Sequence, residues 1–268
     1  MPELPEVETI RRELNPEVVG RRLGEAWAFA SAKFDSAVTA SGAGVQAVRR
    51  RGKYLLADLD DGRELIVHLG MTGSLSLVRT AALDPDPYVR AWWALDDGRT
   101  LVFRDIRRFG RVAVVMAGQY AALPTLRLLG PEPLDEGFTA LGLWQALGAS
   151  RARIKTQLLS QRPVAGVGNI YADEALWRAR VFPGARSITR PQAARLHEAL
   201  REVLDEGIAN RGTTLRDYRS VDGRGGDNQH HLDCYGRAGL PCRRCETALV
   251  SRFWDGRTTT FCPRCQRR

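Results

Sequence analysis

The chain opens MPELPEVE, and two of those residues have types that chemistry can use. Removal of Met1 would leave Pro2 as a secondary amine with the Glu3 carboxylate beside it, a nucleophile next to an acid/base. The same octet also reads as a helix entrance. Pro5 suits a first turn, Glu6 and Glu8 complement its positive end, and Leu4, Val7, Arg11 and Leu14 recur at near-helical spacing until Asn15-Pro16 is expected to stop the helix. The helix accounts for residues 5–14 but gives no role to Pro2 and Glu3.

The strongest local pattern lies at the other end. Cys242, Cys245, Cys262 and Cys265 form C-x2-C-x16-C-x2-C. Each C-x2-C bends tightly enough for two thiolates to share a tetrahedral ion, and the spacer fits a β-hairpin. Four sulfurs leave no open position, so one structural Zn2+ is expected. Cys234 is left over, and with His230 and His231 it is read as a non-ligand. Within the spacer, RFWDGRTTTF reads as strand, turn, strand with Arg257 at the turn, where an arginine is either solvated or within reach of a phosphate.

Further candidates are scattered. In RPVAGVGNIYADEALW, Gly166 and Gly168 make an open turn before a helix beginning at Asn169, whose free N–H groups suit a phosphate; glycine turns before helices are also common without one. RRGKYLL puts Lys53 at a strand start. HLGMTG sets Met71 between glycines, and RDIRRFG sets Phe109 before one. Large apolar residues at turn tips are core plugs or, in a DNA-binding protein, wedges for the base stack.

The elements that must position these residues divide the chain by texture. YLLADLDDGRELIVHL alternates around an Asp-Asp-Gly turn, and AWWALDDGRTLVFRD repeats the arrangement, so residues 45–115 are expected to be antiparallel β in a sandwich or flattened barrel. GPEPLDEG (130–137) looks like a linker. Helices are expected near 139–148, 151–160, 169–179 and 190–208, and the Gly-, Asp- and Arg-rich stretch 212–229 as a mobile loop.

The formal charge of +9 is one-sided. Residues 151–268 hold 22 Lys and Arg against 12 Asp and Glu, whereas residues 1–150 hold 18 against 19. That imbalance suggests a polyanion partner. Arginine accounts for all but Lys33, Lys53 and Lys155 among the basic residues. Clustered cysteines argue for metal rather than disulfides, and no apolar run is long enough to span a membrane, so a cytoplasmic protein is expected.

From MPELPEVE through RRGKYL, HLGMTG, DIRRFG, GVGNIYADEALW, GTTLRDY and YGRAGLPC to the zinc cysteines, the chain closely resembles the bacterial formamidopyrimidine-DNA glycosylases, which excise oxidised purines such as 8-oxoguanine. The resemblance implies an α+β fold of two domains: an N-terminal β-sandwich with an N-terminal helix (1–129), a linker (130–137), a helix–two-turn–helix domain (138–230) and a four-cysteine zinc-finger hairpin (231–268). It implies base-excision repair of damaged double-stranded DNA by a monomer associated with the bacterial nucleoid, with glycosylase and abasic-site lyase (β,δ-elimination) activity.

By resemblance, Pro2 is the nucleophile that forms a Schiff base, Glu3 the general acid, and Glu6 a supporting residue. Lys53, Arg257 and Asn169 would grip phosphates, with His68 and Tyr171 also on the DNA side. Met71, Arg107 and Phe109 would fill the void left by the flipped nucleotide, Arg107 facing the orphaned cytosine. Residues 213–227 would close over the flipped base. Ile106 stands where the family often has proline, so a looser wedge turn is expected; Cys234 replaces an aliphatic residue. An endonuclease VIII-like glycosylase for oxidised pyrimidines is the nearest alternative, but it usually has Gly at Leu4 and lacks the Met–Arg–Phe set. A non-catalytic zinc-hairpin DNA-binding module would leave Pro2, Glu3 and Lys53 without a role.

Overall fold

Alternating apolar residues around Asp-Asp-Gly turns give the expected hairpins. β3 (Tyr54–Leu59) and β4 (Arg63–His68) pair from Tyr54↔His68 to Asp58↔Glu64, and β6 (Val89–Leu95) pairs with β7 (Arg99–Asp105). The turn glycines Gly62 and Gly98 take φ of +83° and +82°, a region side chains disfavour. This computed structural model describes residues 1–80 and 86–267. The chain falls into two units, Met1–Arg127 with Asn210–Asp227, and Leu128–Ala209 with Asn228–Arg268.

In the first unit the hairpins enter different sheets. With β1 (Leu23–Ala28), β2 (Val45–Arg51), β5 (Gly73–Arg79) and β8 (Arg111–Met116), the sheets run β1-β6-β7-β5 and β2-β3-β4-β8, antiparallel throughout. Trp93, Phe103, Leu75 and Leu101 from one and Val48, Leu55, Leu65 and Val67 from the other belong to a single buried core. Burying a side chain of this size contributes about 1.5–3 kcal/mol. Helix α1 (Leu4–Val18) adds Val7, Ile10, Leu14 and Val18 to that core. It continues through Pro16, contrary to expectation. A proline in the last turn removes only one helical bond, and Asn15 is no stop signal here: its carbonyl accepts the Val19 N–H (3.1 Å) and its side chain the Val48 N–H (3.0 Å).

The second unit holds α3 (Ala140–Gly148), α4 (Ile154–Leu159), α5 (Asn169–Arg178) and α6 (Arg190–Ala209), then the hairpin of β9 (Val250–Trp254) and β10 (Arg257–Phe261). The short α2 (Pro124–Arg127) ends the first unit's leading segment. Thr139 caps α3 by accepting the Gly142 N–H, and α6 buries Ala193, Leu196, Leu200, Val203 and Leu204 along one stripe.

Two expectations about the connections change. GPEPLDEG is bound into the second unit rather than hanging free: Gly130 N–H reaches Gln161 O (2.8 Å), Pro131 O accepts Ala165 N–H (2.9 Å), and Arg201 donates to Pro133 O (3.0 Å). Residues 210–227, expected within the helical segment, pack in the first unit against α1. Among the described residues, no helix is long and apolar enough to cross a membrane.

Candidate functional site

Glu3 caps α1 in extended conformation and is 2% exposed; Pro2 is buried before it, while Met1 is half exposed. Glu6, at the third helical position, turns one carboxylate oxygen back to the Glu3 N–H (2.7 Å), the reciprocal arrangement of a capping box. Its other oxygen accepts the Thr213 N–H (2.7 Å). With both oxygens engaged and the side chain 1% exposed, Glu6 fixes backbone on two sides. Gly212 permits this approach, since a Cβ there would lie 2.9 Å from Glu6 Cγ.

Lys53 follows Gly52 (φ +55°) in the two-residue turn joining β2 to β3, and it is 3% exposed. His68, at the end of β4, packs its ring on Tyr54 with centroids 4.6 Å apart. Burial, then the charges of Lys53 and Arg111, lower its pKa to about 4. The ring is therefore neutral at pH 7. Its Nδ1 accepts the Gly70 N–H (3.1 Å), which assigns the proton to Nε2 and makes that nitrogen a donor.

Met71, Arg107 and Phe109 occupy two loops fastened to each other. Met71 is 37% and Phe109 50% exposed, and the Arg107 guanidinium lies 4.8 Å from the Phe109 ring centroid. Asp105, fully buried, accepts from Thr72 Oγ1 (2.6 Å) with one oxygen and from Gly110 N–H (2.7 Å) with the other, and Arg107 N–H donates to Thr72 Oγ1 (3.1 Å). A Cβ on Gly70 would meet the Phe109 carbonyl carbon at 2.4 Å, so backbone lies on backbone. The looser turn expected from Ile106 is offset by this Asp105 anchor.

In the second unit, Asn169 opens α5 behind an N-cap glycine that supplies no side-chain cap. Its Oδ1 is buried without a hydrogen-bond partner among the described residues. Tyr171 is 0% exposed, its hydroxyl 3.5 Å from Asn228 Nδ2. The Tyr171 ring packs inside the unit. Arg257 is exposed beside the Asp255-Gly256 turn (φ +50° and +76°) and lines an open cleft of about 310 Å3 with Arg153, Lys155 and Trp254.

The sequence reading missed the groups that seat this hairpin. Lys155 Nζ contacts Asp173 Oδ1 (2.6 Å) and donates to Thr258 O (2.9 Å), while Asp173 Oδ2 accepts the Thr260 N–H (2.9 Å). Burial pushes Asp173 up to about 7 against the pull of Lys155. Glu174 accepts the N–H groups of Asp233, Cys234 and Tyr235 (2.9, 2.9 and 2.7 Å). The rarity of lysine was a usable signal for Lys155; no spacing rule pointed to its partner.

Ligand atoms of Cys242, Cys245, Cys262 and Cys265 all lie within 4.8 Å of one another and can hold a metal ion. A tetrahedral tetrathiolate with Zn–S near ~2.3 Å needs sulfurs about 3.8 Å apart, which this cluster accommodates. Trp177 Nε1 donates to Cys242 Sγ (3.4 Å), and Arg244 stacks 3.8 Å from the Trp177 ring centroid. Cys234 is outside the set, fully buried, its Sγ donating to Thr260 O (3.1 Å), in keeping with its reading as a non-ligand.

Residues 1–112 match the family model for the formamidopyrimidine-DNA glycosylase N-terminal domain, and residues 129–219 that for its H2TH domain. The formamidopyrimidine-DNA glycosylase of Thermus thermophilus is 48% identical over 270 residues, covering 99% of this chain and 98% of that protein. The crystal structure of the MutM (Fpg) protein from Thermus thermophilus superposes with a TM-score of 0.92 at 48% identity and the same coverage. A Lactococcus lactis Fpg mutant complexed with Fapy-dG-containing DNA gives 0.91, at 32% identity and full coverage of both chains. MutM in complex with carbocyclic 8-oxo-G-containing DNA gives 0.90, also at 32% identity and full coverage. Matching family models along most of the chain and a relative of nearly equal length place this protein: it belongs to the formamidopyrimidine-DNA glycosylase family.

Proposed function

We propose that this protein excises oxidised purines, 8-oxoguanine and formamidopyrimidines, from duplex DNA and then cleaves the strand at the abasic site through an imine on Pro2. The observation that carries the reading is buried Glu3 at the head of α1, adjacent to Pro2 and with its backbone N–H held by the Glu6 carboxylate, in a chain of this family.

With Met1 removed, the neutral Pro2 nitrogen attacks C1′ of the damaged nucleotide, the bond from C1′ to the base breaks, and the base leaves with the proton that the nitrogen gives up. Glu3 gives a proton to the sugar ring oxygen, which opens the ring and leaves a C1′ iminium. A secondary amine reaches that cation without losing another proton. Loss of the 3′ and then the 5′ phosphate by elimination leaves a gap.

Lys53 from the first unit and Asn169 and Arg257 from the second each bind backbone phosphates, and neutral His68 offers its Nε2–H. Met71, Arg107 and Phe109 enter the stack, which offsets part of the cost of extruding the base, a few kcal/mol. Arg107 reads the orphaned cytosine. The four cysteines hold one structural Zn2+, which fixes the hairpin and carries no step of the reaction. The protein acts as a monomer in the cytoplasm.

The test is single-turnover excision from matched duplexes carrying 8-oxoguanine, a formamidopyrimidine or an oxidised pyrimidine opposite C or A. Excision of the purine lesions opposite C at least about tenfold faster than of the others is expected, in line with about 1–3 kcal/mol for a bidentate base contact. Preference for the pyrimidine lesion would favour the endonuclease VIII-like alternative.

A further inference from the structure

Helix α1 grips the segment 210–227 at a second place, two turns beyond Glu6. Glu13 Oε1 lies 2.6 Å from Arg211 Nη2, and Glu13 Oε2 accepts the Val221 N–H (2.9 Å). Seven residues apart, Glu6 and Glu13 share one helix face. One carboxylate thus joins the start of the segment to its middle.

The residue it holds is unusual. Arg211 has φ of +58°, left-handed backbone that a non-glycine residue adopts at a cost, and Gly212 follows at +85°. Asp222 adds a second contact to the same guanidinium (3.3 Å), and the Tyr218 hydroxyl donates to the Arg211 carbonyl (3.2 Å). The segment's far end returns to the same spot: Asp227 N–H reaches Asn210 O (2.9 Å), and a Cβ on Gly226 would stand 2.4 Å from Arg211 O. Everything between is a loop with closed ends whose base is set by Arg211.

We propose that Glu13 is a positioning residue for base excision: it holds Arg211 in its left-handed conformation and so sets the base of the 210–227 segment. Thr213, two residues on, then presents its N–H to Glu6. Losing the Glu13 clasp lets Arg211 relax toward ordinary backbone and carries Thr213 away from Glu6. This rests on the proposed reading that 213–227 covers the flipped base. An abasic site has no base to cover, so the clasp serves excision and not strand cleavage.

The experiment compares Glu13→Ala with the unaltered protein on two duplexes at saturating enzyme, one carrying a formamidopyrimidine and one a preformed abasic site. Excision slows about tenfold, the scale of one lost charge-assisted hydrogen bond, while abasic cleavage stays within about twofold. Glu13→Ala combined with Arg211→Gly recovers most of the excision rate, because glycine adopts φ near +58° without help. Amide exchange across 213–221 rises in Glu13→Ala and falls again in the double variant.

Equal slowing on both duplexes, no slowing on either, or no recovery with Arg211→Gly would overturn the proposal. If Glu13→Ala melts well below the unaltered protein, Glu13→Gln, which keeps the acceptor for Val221 and loses the charge facing Arg211, must show a smaller loss in the same direction, confined to excision. An unaltered protein that cleaves abasic DNA but excises no purine lesion would instead refute the function on which the proposal rests.

Discussion

Single side chains in this protein have assignable protonation and partners, and His68 is the clearest case. Its folded pKa near 4 lies below the ordinary 6.5, chiefly because the ring is buried and secondarily because Lys53 and Arg111 repel a proton. Between pH 6.5 and 4 the folded chain therefore binds fewer protons at His68 than the unfolded chain. The contribution of this site to stability is complete above pH 6.5 and lost as pH falls toward 4. His68→Gln should accordingly lose less stability than the unaltered protein between about pH 7 and 4.5, measured by denaturant unfolding. The His68 ring resonances of the free protein should stay constant from about pH 8 to about 5.5; a midpoint near 6.5 would contradict the buried, neutral ring. Glu6 shows a second residue-scale principle. Its oxygens are committed to Glu3 and Thr213 N–H groups, which suits support better than proton transfer.

The elements make those residues useful, above all the cysteine hairpin. β9 and β10 are seated on α4 and α5 by Lys155 and Asp173, and the loop before the first cysteine pair by Glu174. Metal binding should contribute folding energy to this small element, since an ion would tie together sulfurs drawn from both ends of the hairpin. Cys262→Ser should lose the metal, measured by elemental analysis at one equivalent per chain in the unaltered protein, and should weaken duplex binding by about tenfold or more as Arg257 loses its mount. Cys234→Val should keep the metal, and its loss there would show that the wrong four sulfurs were chosen. What was legible in the sequence at this scale is what short-range rules encode. Equal C-x2-C spacings, Asp-Asp-Gly turns and the α6 stripe all sit within a few residues of their partners. Contacts between distant residues had no such signature: Arg211 meets Glu13 across 198 positions, and Asp173 meets Thr260 across 87. Strand β1 was also missed, because LGEAWA is short and contains glycine. Pro16 misled because its position in the last turn, not its identity, decides whether a helix survives it.

At the scale of the whole molecule, charge and chain path divide the labour. Glu3, Glu6, Met71 and Phe109 lie in the first unit, whereas the excess of basic residues, the cysteine cluster and Arg257 lie in the second half of the sequence. The chain returns to its first unit for residues 210–227, so the segment bonded to Glu6 and Glu13 is contributed from beyond the long helix α6. That return was hidden in the sequence, where GTTLRDYRSVDGRGGDNQ simply follows a helix. The hydrogen bonds to α1 show where that segment is held. The central claim is that the covalent chemistry belongs to Pro2. Its most direct test is borohydride trapping on a duplex with a single 8-oxoguanine opposite cytosine, followed by proteolysis and mass analysis of the cross-linked peptide. The account predicts one DNA strand per protein, attached to a peptide that begins at Pro2, and no adduct when Met1 is retained. Attachment at Lys53 or Lys155, or undiminished trapping with Met1 in place, would contradict it.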